Sequence, residues 1–435
     1  MDSDGIVEAS RCDLEVTGHE GVEAVSAHRR RWSIALLLGL GVLVNYFDRV
    51  NLTVSHDALL SEFRISDVTF GLLLGAYNWT YALCQLPSGV LLDRFGVRRV
   101  GIVSTLLWSI ASFAAAATRS IAGFFGARFL LGIGEAPTFP ANAKAVGYWF
   151  PPRERSLATS CFDGAAKFAS AIGVPLIGLL LLQIGWRLSF AATGLISFFY
   201  FLLFAAVYRD PKKSWTSKGV DRAGRHVSLG YLLRRKKVIG LAIGFGSYNY
   251  VFYLLLTWLP VYLSRSLHID LAHSFLYTGV PWLVATATDV GIGGWLVDRL
   301  IRSGWNADRV RRVVLVCGTA MGLGILGAAR AQTPGQALFW ISVSIGGLSA
   351  AAPVGWSAPS LIAPGDSVGK VGGIMNLSNQ ISGIAAPFIT GYLVSGRQSF
   401  AGAFLVAAAY LVIGVASYIF LLGEIRQIAM PAEGA

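Results

Sequence analysis

Seven ionisable side chains sit inside long apolar runs of this chain: Asp48, Arg49, Arg128, Glu135, Asp163, Lys167 and Asp289. Charge at membrane depth costs about 3 kcal/mol per residue on insertion scales, so such residues face a protein interior or a wet cavity and serve a function. The sharpest case is Asn45-Tyr46-Phe47-Asp48-Arg49, which follows thirteen uncharged residues from Trp32 to Val44. Snorkelling of both charges to the interface is the alternative reading of that pair. Arg128 and Glu135 are seven apart and share a helix face two turns from each other. Asp163 and Lys167 are four apart with the acid first, the favoured order for an i,i+4 pair. An arginine holds a carboxylate bidentately. A buried acid beside it takes up a proton when substrate claims that arginine and releases it when the arginine is freed. Arg49 and Arg128 therefore read as a positive site for a small organic anion, and Asp48 and Glu135 as proton acceptors. Static ion pairs joining helices 1 and 4 would use the same four residues.

Two arrangements fit Lys167. It is either a second cationic contact, suited to a dianion or a bulkier acid, or it is neutralised by Asp163. Asp289 follows Thr286 and Thr288 and has no cation near it in its own half, so it reads as a second proton site or as a neutral acid against hydroxyls. Tyr46, Tyr77 and Tyr81 add neutral groups, the last two one turn apart. Asn376, Asn379 and Gln380 form a polar stripe at i, i+3 and i+4, continued by Gly383. Such a stripe bonds across helices or lines a polar lumen. Trp356 and Ser357 are weaker candidates.

No other chemistry is written in the chain. It has no phosphate-binding Gly-rich loop with Lys and Ser/Thr. The six His lie in tails or loops without metal-ligand spacing, the four Cys are scattered, and no nucleophile–base pair stands out. An enzyme, a metal site and a cofactor are not expected.

The elements that must position these residues are membrane helices. With 54% hydrophobic and 14% charged residues, the chain carries more apolar surface than a soluble core of 435 residues hides. Apolar runs long enough to cross the hydrocarbon fall near 32–55, 68–91, 100–118, 121–143, 157–182, 187–208, 238–263, 273–297, 312–330, 337–360, 370–395 and 400–423. This predicts an all-α integral membrane protein of twelve transmembrane helices in two six-helix bundles, residues 29–208 and 238–424. A cytoplasmic tail (1–28, read as disordered), a basic cytoplasmic linker (209–237) and a C-terminal cytoplasmic tail (425–435) complete it. Lys and Arg concentrate in alternate loops, which puts both termini in the cytoplasm. The formal charge of +12 is thus a topology signal and not a nucleic-acid footprint. An internal repeat supports the two halves: Gly89-Val-Leu-Leu-Asp93-Arg94 ends the second run, and Gly294-Trp-Leu-Val-Asp298-Arg299 ends the eighth.

Gly89 to Arg99, with Asp93, Arg94, Gly96, Arg98 and Arg99, resembles the signature loop of the major facilitator superfamily, echoed by Asp298 and Arg299. The resemblance implies a gate at the cytoplasmic end, with the Asp helping to hold the halves together. Asn45-Tyr46-x-Asp48-Arg49, the Tyr81 to Gly89 stretch, Arg128 to Pro140, Trp149 to Arg155, Gly185-Trp-Arg187 and Gly372 to Asn376 resemble the anion:cation symporter family within it. That family includes bacterial galactonate, hexuronate and glucarate carriers. It implies proton-coupled symport of a sugar acid or related carboxylate into the cell by alternating access, in a bacterial inner membrane, with the proton as coupling ion and a monomer as the working unit. A proton-driven exporter and, behind it, a transporter-like sensor are the rival functions.

Overall fold

The computed structural model describes residues 4–211, 227–267, 271–397 and 400–430, without the side chains of 4–28, 67–68, 260, 264–266, 271–276, 278 and 395–397. Most of the expected linker (212–226), the ends of both expected tails (1–3 and 431–435) and short pieces at 268–270 and 398–399 lie outside those residues.

Twelve long helical segments, beside the short helices His56–Phe63 and Leu229–Leu233, are laid out along the described residues. α1 is Asp4–Val54, and α2 joins Asp67–Leu83 to residues 85–95. α3 is 97–117, and α4 joins Ile121–Glu135 to Thr138–Trp149. α5 is 155–184 and α6 is 186–207. α7 is Lys236–Leu267, and α8 runs through Leu271–Thr288, Asp289–Leu296 and Val297–Arg302. α9 begins at Ala307–Met321 and ends at Ala328, α10 is Pro334–Ile362, α11 is Val368–Arg397, and α12 joins Ala401–Ala416 to Ser417–Leu422. The backbone of α1 starts at Asp4, so the stretch read as a disordered tail continues the first helix; no proline interrupts it.

Eight helices among the described residues are long and apolar enough to cross a bilayer unaided. The difference from twelve has local causes. α2 breaks at Cys84 and α4 at Ala136-Pro137, while α11 carries the amides of its polar stripe. α5 and α6 count as one helix, because their connection is a single residue. That residue is Gly185, at φ +74°, a left-handed conformation that glycine adopts freely; Gly96, at φ +81°, turns α2 into α3 in the same way. Leucines and phenylalanines such as Leu83, Leu182, Phe388 and Phe420 project outward, where lipid covers them at no cost.

Small residues bring the halves together. A β-carbon on Gly89 of α2 would lie 2.5 Å from the carbonyl oxygen of Gly369 in α11, so only hydrogen fits there. The buried side chains form one large apolar cluster that spans both halves, with a smaller one around Leu52, Phe124 and Phe190.

Candidate functional site

A narrow polar cavity lies between the halves. Tyr46 and Arg49 line it from α1, Tyr81 from α2, Asp163 and Lys167 from α5. The opposite half contributes Tyr248, Asn249 and Tyr253 of α7, Trp356 of α10, and Asn376, Asn379 and Gln380 of α11. The amide stripe of α11 faces this cavity and also bonds across the halves. Asn376 Nδ2 donates to Gln85 Oε1 at 2.8 Å and to the Tyr81 hydroxyl at 3.3 Å, and Asn379 donates to Asn376. Asn249 Nδ2 in turn donates to the Asn379 carbonyl at 2.7 Å.

Arg49 is held at the cavity wall by Glu135, Nε to Oε2 at 3.1 Å. The same Glu135 oxygen accepts the Tyr77 hydroxyl at 2.7 Å, while Oε1 has no hydrogen-bond partner. The guanidinium of Arg49 lies over three aromatic rings, those of Tyr46, Tyr77 and Tyr81, at 4.8, 5.0 and 5.1 Å. Its Nη2 makes no hydrogen bond. Aromatic faces stabilise the cation without occupying its donors. The guanidinium is thus held in a fixed orientation by one carboxylate and three rings.

Asp48 differs from the expectation. It points away from the cavity into the first half, where it accepts Ser112 at 2.9 Å and Ser197 at 2.8 Å. Among the described residues it forms no ion pair, and its hydrogen bonds go to hydroxyls. The reason is helical geometry: adjacent residues project about 100° apart, so Asp48 and Arg49 cannot share a face. A further hydroxyl and amide cluster lies along the same seam, with Asn51 bonded to Thr193 and Ser189. Arg128 is buried behind the cavity over the Tyr77 ring at 5.2 Å, and does not line the cavity. Tyr77 likewise sits behind Arg49 and not in the lumen.

Lys167 resolves into more than either arrangement considered for it. It pairs with Asp163 on its own helix and also with Asp289 of α8, Nζ to Oδ2 at 2.8 Å. The second partner belongs to the opposite half, which sequence spacing could not reveal. Thr286 and Thr288 bond to their own helix carbonyls, so they do not solvate Asp289 as expected. Asp289 opens a π-helical stretch, Asp289–Leu296, a wider turn that often marks functional sites.

On the linker side of the cavity, both halves meet through paired carboxylates. Asp93, at the end of α2, accepts the backbone N–H groups of Gly369 and Lys370 at 2.8 and 2.9 Å, at the first turn of α11. Asp298, at the end of α8, accepts those of Ser156 and Leu157 at 3.3 and 2.8 Å, at the first turn of α5. Each half thus caps the fifth helix of the other, where unpaired N–H groups and the helix dipole favour an anion. Lys144, fully buried, adds ion pairs to Asp93 at 2.6 Å and Asp366 at 3.0 Å. Arg155 donates to Ser360 of α10, and Arg311 to the carbonyl of Pro152. The arginines of the signature loop do not cross between the halves: Arg98 donates to the Tyr208 carbonyl, Arg94 lies over Phe95, and Arg299 lies over Trp295. Arg99 is exposed.

Sequence reasoning missed the wall built by α7. Tyr248, Asn249, Phe252 and Tyr253 fall at i, i+1, i+4 and i+5, a helical spacing that puts polar aromatics on one stripe of an otherwise apolar run. Phe139 of α4 was also missed; it stacks on Trp356 across the halves at 5.1 Å.

The family model described as the Major Facilitator Superfamily matches residues 38–305. The chain belongs to that superfamily. It is 38% identical to the "uncharacterized transporter YybO" of Bacillus subtilis (strain 168), with 92% of this chain and 96% of that protein covered. It is 29% identical to the D-galactonate transporter of Escherichia coli O6:H1, covering 94% and 99%, and 29% identical to the probable galactarate/D-glucarate transporter GarP of Escherichia coli (strain K12), covering 92% and 96%. These matches agree with the anion:cation symporter resemblance of its motifs. The fold is that of the proton:xylose symporter XylE bound to 6-bromo-6-deoxy-D-glucose, at TM-score 0.75 and 17% identity over 92% of this chain and 97% of that one. FucP in the outward conformation gives 0.70 at 15% identity, over 89% and 97%. The chain is a multi-pass membrane transporter of the secondary type, and not an enzyme.

Proposed function

We propose that this transporter carries a small organic anion, a sugar acid or related carboxylate, into a bacterial cell together with protons. The observation that carries the reading is the Arg49–Glu135 pair at the cavity wall, 3.1 Å apart and backed by three tyrosines. Substrate carboxylate takes Arg49, Glu135 loses its cation, and a proton neutralises the buried acid left behind. Asp48, bonded only to hydroxyls, is the second proton acceptor, and Arg128 keeps the field around both acids positive. Tyr46, Tyr81, Asn376, Asn379 and Gln380 bind the polyol part of the substrate. Similarity to proteins named for galactonate and galactarate/glucarate transport supports the substrate class.

In this reading the linker end of the bundle is cytoplasmic, with both termini there, in the inner membrane. Residues 29–208 and 238–424 rock as two bodies in a working monomer, and Asp93 and Asp298 with Gly89 and Gly96 form the gate. The proton is the coupling ion, and no other cofactor takes part. The test is uptake by the full chain in proteoliposomes under an imposed pH gradient, with D-galactonate and D-glucarate as probes. Uphill accumulation that collapses with the gradient supports symport. Accumulation driven only from the opposite side would establish the exporter, and substrate binding without any flux would establish a sensor.

A further inference from the structure

The ionic cluster of Lys167, Asp163 and Asp289 is separate from the Arg49–Glu135 pair, though both reach the same cavity. Its charges do not balance. Two carboxylates face one ammonium, so the cluster is one charge negative when both acids are ionised. All three residues are buried, with Lys167 and Asp289 at 0% exposure. Asp289 uses only Oδ2 on Lys167; its Oδ1 has no hydrogen-bond partner, which leaves that oxygen open to a proton. Tyr248 of α7 faces the cluster, its ring centroid 5.6 Å from Lys167 Nζ. Arg49 lines the cavity from α1. The cavity therefore has a cation contributed by α1 and another by α5: Arg49 is held by Glu135, which does not line the lumen, and Lys167 by Asp163, which does, and by Asp289, which does not. The difference is that Glu135 is in the same half as Arg49, whereas Asp289 reaches Lys167 from the other half, at the start of the π-helical turn of α8.

We propose that Lys167 is the contact for a second substrate carboxylate, and that Asp289 is the resident anion it displaces, taking one proton as it leaves. This rests on the organic-anion reading above and names its substrate class as diacids bound between Arg49 and Lys167. The exchange is balanced. The N–H of Lys167 that donates to Asp289 Oδ2 turns to the substrate carboxylate, and one proton from the solution in the cavity binds Asp289. The substrate adds one negative charge to the cluster, and the proton removes one. Asp163 stays on Lys167 throughout. Because the displaced bond joins α5 to α8, binding of the second carboxylate also unlinks the halves at that point. A monoacid leaves the Lys167–Asp289 bond in place.

The test measures D-galactonate and D-glucarate uptake in proteoliposomes of the full chain, with a pH-sensitive dye reporting protons per substrate. The wild type is expected to carry one more proton with glucarate than with galactonate. Lys167→Gln should shift the ratio of glucarate to galactonate KM by about tenfold or more towards galactonate, the size expected for losing a charged hydrogen bond. Asp289→Asn, which keeps the shape and loses the titratable oxygen, should abolish the extra proton and shift the KM ratio towards glucarate. Equal proton counts for the two acids in the wild type overturn the proposal, as does a Lys167→Gln variant that weakens both acids alike. If galactonate moves with protons and glucarate does not move, the diacid assignment fails while the organic-anion reading stands. If neither acid moves in folded protein, both fall.

Discussion

Replacing Asp93 by Asn removes one negative charge where the two halves meet. The side chain keeps its shape, and one carbonyl oxygen still faces α11. What is lost is the buried ion pair with Lys144 at 2.6 Å within the first half, the ion pair with Lys370 Nζ of the second half at 3.7 Å, and the ionic character of the bonds from the Gly369 and Lys370 N–H groups. Breaking a buried pair from one side costs about 3–5 kcal/mol. Lys144 retains Asp366 at 3.0 Å, whose side chain is 61% exposed, so the lower end of that range applies. The two N–H bonds weaken by about 0.5–1 kcal/mol each when their acceptor becomes neutral, charged bonds being about twice as strong. Lys144 and Asp93 belong to the same half, so their pair is lost in either state, and the closed linker end is expected to lose about 1–2 kcal/mol relative to the open one from the two N–H bonds, which is about five- to thirtyfold in population. Spin labels at Arg99 and Ser303, both exposed, would report the distance between the α2–α3 and α8–α9 connections. The expected result is a shift of the distribution to longer distances in Asp93→Asn. Asp298→Asn should give a smaller shift of the same sign. Its two N–H bonds, at 3.3 and 2.8 Å, have no ion pair behind them. An unchanged distribution in folded Asp93→Asn protein, or a larger shift for Asp298→Asn, would refute the reasoning.

Other substitutions separate the roles of the buried charges. Glu135→Gln frees Arg49 from its resident anion, and is expected to preserve anion exchange between equal pools while abolishing accumulation driven by a pH gradient; counterflow and gradient-driven uptake measured on the same vesicles decide it. Arg49→Lys keeps the charge but loses the planar fork, so the apparent affinity for D-galactonate should fall by about ten- to a hundredfold in binding titrations. Asp48→Asn replaces a buried acid that has hydroxyl partners and no direct ion pair, so the melting temperature in detergent should hold or rise while proton-driven uptake falls. Gly185→Ala forces a side chain onto a residue at φ +74° and should cost about 1–2 kcal/mol, read as a lower melting temperature with no change in substrate affinity.

The parts of the fold that come from periodicity and repetition were legible in the sequence. The apolar runs marked the helices, and the repeated Gly-x-x-x-Asp-Arg placed Asp93 and Asp298 at equivalent ends. That each would cap the fifth helix of the opposite half was not legible, because a capping acid and the N–H groups it accepts can be hundreds of residues apart, as Asp93 and Gly369 are. The buried charges show the same division. Asp163 and Lys167 are neighbours by spacing alone, and the structure joins them. Asp48 and Arg49 are neighbours in sequence, and the helix separates them. Asp289 had no cation in its own half, and spacing gave no means of placing its partner, Lys167, in the other. The α7 wall was not legible because Tyr248, Asn249 and Tyr253 carry no charge and stand in an apolar run, where the same helical spacing also marks a packed face.

The distribution of charge has a mechanical consequence. Arg49, Glu135, Arg128, Asp48, Asp163 and Lys167 all belong to the first half, and Asp289 is the acid the second half brings to them. In the cavity itself the second half offers amides, tyrosines, a phenylalanine and a tryptophan. A carrier must release its substrate on the other side of the membrane, so the contacts between halves must be ones that can be broken at a small net cost. Neutral hydrogen bonds meet that requirement, since each contributes about 1 kcal/mol and water replaces it on opening. A buried ion pair does not, because separating it strands two charges. The Lys167–Asp289 bond can open cheaply only if Asp289 is neutralised as it leaves, and Asp163 remains to neutralise Lys167. The third member of the cluster thus has a physical role that a simple pair would lack: it makes the bond between the halves one that a proton can undo.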